Sequence, residues 1–435
     1  MMSSWIAPWL LLVVPSAGAL LSLLVWSRPR EFKTGLLLTT VASLLAVLGA
    51  AVAMGALPSG MPLLCLLSAA AFASLLGQPL HRDNRTAWLM TVVILGIGLA
   101  TVRTSDPTKS LWLSLLFLLL VGLLAHTRNG SASSPTWGMA TYGIAAAAAL
   151  VSAIAPAPIS TMAGLFVSLV LIPLFPLQAG HVACLTRLPG NLPAFLALLL
   201  PLVGLTLLPT VLPALPEIAR DSMEGLALLS MLYGSVRALA QPRPLPLLAH
   251  ASLAFFSILW WYVGIGGSLS PQTVVFLSAV GLTTGGLYLG WYAVRARYGD
   301  LDLRALGGLV QPMPRFATLF CLLALAALGL PPFGVFSGFM GMVLNPAVTL
   351  PGSFALVALV WLAASWYFLD LMQRLLFGRP QPDLRYEDVR ETELVALTIV
   401  LVLLVVLGVT PSRWFDAGTT TAPSPPSLES SAWNR

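Results

Sequence analysis

The chain has few charged residues: Asp, Glu, Lys and Arg make up 9% of it, against 58% hydrophobic residues. That balance excludes a soluble globular protein of ordinary composition, and the mean hydropathy of +0.90 agrees. Lysine is almost missing. Lys33 and Lys109 are the only two in 435 residues, and both are expected in connections near the start of the chain. No lysine is therefore expected inside a membrane. Cysteine is scarce as well: Cys65, Cys184 and Cys321 fall in separate apolar runs without paired spacing. They read as small core residues rather than a disulfide framework or a metal site. The sequence shows no haem histidine pair, metal-ligand cluster, glycine-rich phosphate loop or nucleophile triad. It is not expected to perform redox chemistry alone or to hold a cofactor or metal of its own.

What the chain does have is apolar runs of about twenty residues, each long enough to cross roughly 30 Å of hydrocarbon. The shorter alternating strands of a β-barrel are not seen. Fourteen spans are predicted, at 5–26, 35–57, 62–78, 86–102, 111–126, 136–156, 161–185, 192–215, 223–240, 245–266, 272–294, 315–345, 351–377 and 393–411. The basic residues test this count. All 22 of them except Arg103, Lys109, Arg220, Arg413 and Arg435 fall on connections after odd-numbered spans or on the flanking helix ends. A miscounted span would scramble that asymmetry. It fits cytoplasmic odd connections with both termini outside, so the net charge of +6 reflects topology and implies no nucleic-acid partner. No basic residue precedes Trp5, so the first run reads as a retained helix rather than a signal peptide. The tail from Gly418, with its prolines and serines, reads as a short disordered extension.

Two spans are broken near their middles. The seventh contains Pro173 and Pro176, and the twelfth contains Pro331 and Pro332. Proline removes a backbone donor and clashes with the preceding turn, so each helix must unwind there. The broken spans are five apart and therefore run in opposite directions. Matching interruptions in inverted halves point to an inverted repeat around a midplane pathway.

At these residues the chain resembles the M-type antiporter-like subunit of proton-pumping NADH:quinone oxidoreductase. The wider superfamily includes subunits of cation/proton antiporters, membrane-bound hydrogenases and inorganic-carbon accumulation systems. The run from Leu328 to Phe339 is similar to the family's Gly-Leu-Pro-Pro-x-x-Gly-Phe-x-Gly-Lys/Glu-Phe signature, and Leu171 to Gln178 to its Lys-x-Pro-x-x-Pro-x-His segment. Leu247 to Ser252, Asp302 to Leu309 with Met313-Pro314, and Arg374 to Gly378 with Asp388 to Glu393 and Leu407 to Pro411 resemble further family segments in order. The likeness covers roughly Leu165 to Asp416. It implies an all-α polytopic membrane fold of about fourteen helices, with inverted five-helix repeats whose helices 7 and 12 are broken. The implied division is 1–110 for helices 1–4, 111–215 for the first repeat together with helix 4 at 86–102, and 216–377 for the second repeat. A cytoplasmic loop and helix 14 follow at 378–416, then the tail at 417–435.

The resemblance also implies a place in the membrane arm of an energy-converting complex in the bacterial inner membrane. Flavin, iron–sulfur clusters and quinone would lie on partner subunits, and sibling antiporter-like chains and the lipid bilayer would be neighbours. Yet the positions at which the family carries ionisable groups are apolar or neutral here. The helix-seven lysine falls on Leu171 and its nearby histidine on Gln178, the helix-eight lysine on Leu202 within one residue, and the helix-twelve group on Phe339. The helix-eleven positions fall near Val280 and Thr284. Leucine and phenylalanine cannot titrate, and a charge at mid-bilayer costs roughly 2.5–3.5 kcal/mol on insertion scales. Intrinsic proton conduction is therefore in doubt. The alternatives are a non-conducting structural or docking subunit, and the membrane half of a two-component ion or inorganic-carbon transporter.

The remaining ionisable groups in or near the spans are His181, His250, Arg237 and the pair Asp370 and Arg374. His181 reads as a relay remnant or a packed histidine. His250 reads as structural or as part of the same path. Arg237 can snorkel to the interface. Asp370 and Arg374, four apart, form either a local ion pair or a surviving coupling element. Glu217, Arg220, Asp221 and Glu224 are expected in an outer-side loop.

Overall fold

The computed structural model describes residues 3–53, 60–79, 84–104, 108–127, 135–266, 269–299, 302–303, 307–346, 348–378 and 387–410. The tail at 417–435 lies outside the described residues. Among those described there is no strand. The first half runs α1 (Ser3–Leu24), α2 (Pro29–Ala53), α3 (Met61–Leu76), α4 (Arg85–Arg103), α5 (Thr108–His126), α6 (Thr136–Ile154), α7 (Ile159–Leu171), α8 (Ala179–Arg187), α9 (Leu192–Leu205) and the single turn α10 (Leu208–Val211). The second runs α11 (Glu217–Leu239), α12 (Pro244–Gly264), α13 (Pro271–Tyr298), α14 (Pro314–Ala327), α15 (Gly334–Val343), α16 (Phe354–Phe377) and α17 (Glu391–Val409). Joining α7 to α8, α9 to α10, and α14 to α15 yields fourteen spans.

Proline marks many of the starts. It occupies the first turn of α3, α9, α12, α13 and α14, where its missing N–H would have had no helical partner. At α13 Ser270 and Thr273 add a reciprocal capping box.

The parity of the spans is visible in contacts between connections. On one end Arg85 donates to the Trp26 carbonyl (2.6 Å), Ser74 to Asn191 (2.9 Å), Leu303 to Pro242 (3.1 Å) and Leu309 to Leu375 (3.2 Å). All of these join connections after odd-numbered spans. On the other end Lys109 donates to the Thr206 carbonyl, Asn345 to the Tyr262 hydroxyl, and Ser353 to Glu224. The repeat is visible too: α4 packs on α9 as α11 packs on α16.

Three local expectations change. Span eight, expected to be smooth over 192–215, unwinds after Leu205 and continues as α10 and a 3₁₀ turn at Leu212–Ala214. Glu217, Arg220, Asp221 and Glu224 lie in the opening turns of α11 and not in a loop. Lys33 and Lys109, expected in connections, lie near the starts of α2 and α5. In the last two cases the cause is the same: helices continue past the apolar stretch, and hydropathy marks only the stretch.

The centre of the bundle is α13, buried along its transmembrane length between α9, α15 and α17. Glycine makes these approaches possible. A Cβ on Gly281 would meet Leu198 Cα at 2.9 Å, and one on Gly338 would meet Phe276 Cα at 2.6 Å. Towards the outside, Leu20, Leu38, Leu111 and Trp366 present apolar surface suited to lipid.

At one end of α13 a single ion pair ties three helices together. Arg297 meets Glu393 through Nη2–Oε2 (2.7 Å) and Nη1–Oε1 (3.2 Å), and also donates to the Asp388 carbonyl. Glu393 accepts from the Arg390 N–H, and Asp388 accepts the N–H groups of Arg315 and Phe316 at the start of α14. The two side chains are only 11% and 4% exposed, whereas Arg374 and Asp370 are 44% and 36% exposed. Removing one partner of a buried pair costs about 3–5 kcal/mol, and an exposed pair is worth about 0–1 kcal/mol. Glu393→Ala should therefore lower the thermal midpoint in mild detergent markedly while Asp370→Asn leaves it nearly unchanged, as a side-by-side melt will test.

Candidate functional site

Each break exposes backbone groups that a bilayer cannot satisfy. In span seven α7 stops at Leu171, and the carbonyl of the next residue, Ile172, accepts from Trp260 Nε1 on α12 (3.0 Å). The Phe175 N–H donates to Ser230 Oγ on α11 (3.1 Å), which also accepts from Ser257 Oγ on α12 (2.8 Å). In span twelve α14 stops at Ala327, and the next carbonyl, Leu328, accepts from Trp361 Nε1 on α16 (2.9 Å). Gly329 follows with φ +71°, and the Trp361 ring occupies the space a Cβ would need. Both breaks carry a cis X–Pro peptide, at Phe175–Pro176 and Pro331–Pro332. An indole N–H thus closes the first half-helix at the same position in both breaks.

Beside the second break lies a small cavity of about 20 Å³, lined by Ser252, Val280, Thr283 and Thr284 together with apolar side chains such as Phe255, Ala327 and Val335. That is enough for about one water molecule. Thr283 Oγ1 is buried there with no protein partner. On the other side of Ser252 stands His181. Ser252 Oγ lies within hydrogen-bond distance of the Ala249 carbonyl (2.9 Å) and of His181 Nε2 (3.0 Å). His181 Nδ1 is buried without a partner.

The other sequence-predicted positions divide into two groups. Leu171 and Leu202 are completely buried, and Leu171 packs against Gly204 of α9. Gln178 precedes α8, with its Oε1 buried and unpaired. Phe339 stacks on Trp361 at 4.3 Å between ring centroids and faces Phe276 at 6.3 Å. Pro173, Pro176, Pro331 and Pro332 all lie within the two breaks. His250 is buried and donates from Nδ1 to the Pro246 carbonyl (2.7 Å), with Tyr233 beside it. By contrast Arg237 is exposed in the last turn of α11. Asp370 and Arg374 pair with each other at 2.7 Å on an exposed face of α16. The structure thus brings His181 to Ser252 and the cavity, and leaves Arg237, Asp370 and Arg374 at the surface.

Sequence reasoning missed the groups that close the breaks: Trp260, Trp361, Ser230 and Ser257. One signal was available for the tryptophans, since an indole deep in an apolar span must still find an acceptor for its N–H. Replacing Trp361 by Phe keeps most of the ring volume and leaves the Leu328 carbonyl unpaired, at a cost of about 1–3 kcal/mol. Trp361→Phe should lower the thermal midpoint, whereas Trp137→Phe, at a side chain 77% exposed, should not.

Comparison with known proteins bears on the same region. NADH-quinone oxidoreductase subunit M of Escherichia coli is 28% identical over 200 residues, covering 44% of this chain and 38% of that protein. The aligned region is therefore well under half the length of that relative. A chain of respiratory complex I from Thermus thermophilus superposes with a TM-score of 0.76 over 93% of this chain and 96% of its own length, at 20% identity. A chain of the Mrp complex from a Dietzia species does so with a TM-score of 0.75 over 96% of each chain, at 14% identity. At such identities the superpositions establish the fold. The family model for the NADH:quinone oxidoreductase/Mrp antiporter transmembrane region matches residues 114–365. That stretch is more than half of the chain and includes both breaks with the tryptophans that close them, so this polytopic membrane protein belongs to the NADH:quinone oxidoreductase/Mrp antiporter family.

Proposed function

We propose that the chain is a membrane-arm subunit of an energy-converting complex of the NADH:quinone oxidoreductase type, in a bacterial inner membrane, and that it keeps the antiporter-like shape without conducting protons through it. The supporting observation is the filling of the second break. Phe339 stacks on Trp361, and Phe255 meets the same indole at 5.1 Å. Three aromatic rings occupy the position where a relay would need a titratable group or a water column. At the first break Leu171 and Leu202, both fully buried, do the same. Flavin, iron–sulfur clusters and quinone belong to partner subunits in this reading. Within this chain the described residues gather no group of three His, Cys, Asp or Glu side chains within reach of one metal ion. Its role is to hold neighbouring membrane chains, antiporter-like siblings among them, in register.

A second reading has one specific observation in its favour. His181, Ser252 and the cavity beside Thr283 form a short polar chain that hydroxyls and one water could extend. Proton movement along it would require His181 to exchange a proton with Ser252 through Nε2.

Two measurements separate these readings. Affinity purification of the tagged chain from its native membranes in mild detergent, followed by mass spectrometry, should recover flavin and iron–sulfur subunits with sibling membrane chains. A single soluble partner without redox subunits would instead indicate a two-component transporter. In the purified complex reconstituted in vesicles, His181→Ala should leave turnover-driven proton flux within about twofold of the parent. A tenfold or larger loss, roughly 1.4 kcal/mol in activation free energy, would establish the histidine path and overturn the non-conducting role.

A further inference from the structure

The packing of α1, α2 and α4 carries a cluster that the proposed function does not use. These helices share a small core of their own, built on Phe32, Leu36, Trp88 and Val92. Trp26 and Trp88 lie at the end of the bundle where α1 stops and α2 and α4 begin. Arg85 donates from Nη1 to the Trp26 carbonyl (2.6 Å) and places its guanidinium carbon 5.9 Å from the Trp26 ring centroid. Lys33 Nζ stands 5.8 Å over the Trp88 ring. Arg28 and Arg30 flank them, both exposed.

Among the described residues the cations here outnumber the carboxylates. Glu31 is the carboxylate of this group, and it is already engaged by Arg28 at 3.1 Å. Lys33 and Arg30 have no carboxylate partner among the described residues, and Arg85 Nε is buried without an acceptor. Holding cations against indole faces is favourable but supplies no counter-charge. Directly beyond the cluster α1 exposes Leu20, Leu21 and Leu24, at 65%, 63% and 80%. A ligand that fits both features has an anionic phosphate at the level of the tryptophans and acyl chains along α1.

We propose that this end of the α1–α2–α4 unit is a binding site for an anionic phospholipid, with Arg30, Lys33 and Arg85 around the headgroup phosphate and the leucines of α1 against its chains. A free phosphate ion would satisfy the cations but make no contact with the leucines, which face lipid in either case. Basic clusters beside membrane helices attract anionic headgroups in proportion to their charge. The site rests on the geometry of this cluster and is independent of whether the chain conducts protons.

The test uses the full-length chain, delipidated in mild detergent, with native mass spectrometry of lipid retention. The parent protein should retain phosphatidylglycerol in preference to phosphatidylcholine. Arg30→Gln combined with Lys33→Gln should weaken that retention roughly tenfold or more, and Arg374→Gln, a basic residue on another helix, should not change it. Thermal midpoints of the unaltered chain supply a reading that needs no variant: phosphatidylglycerol should raise the midpoint, and neither phosphatidylcholine nor inorganic phosphate should. Equal retention of the two lipids, undiminished retention in the double variant, or a midpoint raised as much by inorganic phosphate would each overturn the proposal.

Discussion

The structure depends on one constraint: backbone groups released by proline inside a bilayer have no water to bond to. Two spans of this chain are interrupted at their middles, and each interruption frees a carbonyl just past the last turn of a half-helix. In both, an indole N–H from a helix of the second half reaches that carbonyl, Trp260 at Ile172 and Trp361 at Leu328. Trp260 belongs to span ten and Trp361 to span thirteen, so the two are not equivalents within an inverted repeat. The same physical need has been met twice from different places.

This arrangement links the groups packed around the second break. Trp361 can reach Leu328 only if its ring lies flat against Gly329, whose φ of +71° and missing Cβ allow it. The ring then presents its other surroundings to Phe339 and Phe255. At the first break the closing groups are smaller, and Ser230 and Ser257 share the work with Trp260. Polar atoms remain beside both spans: His181 of span seven meets Ser252, and Ser252, Thr283 and Thr284 line a cavity bounded by Ala327 and Val335 of span twelve, while rings fill the space around Phe339. The two halves share a backbone plan and differ in the groups that close it.

Much of this was legible in the sequence. The fourteen spans, the two breaks and the all-helical fold followed from apolar runs, proline positions and the distribution of arginine. Each of those signals is local or one-dimensional, and the contacts between odd connections, such as Arg85 with Trp26, bear out the parity. What was not legible was pairing across long separations. Arg297 and Glu393 lie 96 residues apart, and nothing in the sequence around either says that it will be buried against the other. The opening turns of α11 and the unwinding of span eight after Leu205 were missed for another reason. Hydropathy reports how long an apolar stretch is and not where helical hydrogen bonding starts or stops. Asp370 and Arg374 were legible as neighbours because four residues make one helical turn, but spacing alone could not tell an exposed pair from one facing the cavity.

The closure of the breaks also explains how the shape of this family can persist when its centre is apolar. The side chains that bond the Ile172 and Leu328 carbonyls and the Phe175 N–H are Trp260, Trp361 and Ser230, and none of them is ionisable. The carbonyls of Ile172 and Leu328 are bonded whatever side chain stands at positions 171, 202 and 339. An ionisable residue at those positions would add a desolvation cost without contributing to closure of the helices. In the proposed non-conducting reading, the fold does not depend on a relay at these positions. The backbone break is a structural requirement met by hydrogen bonding from neighbouring helices.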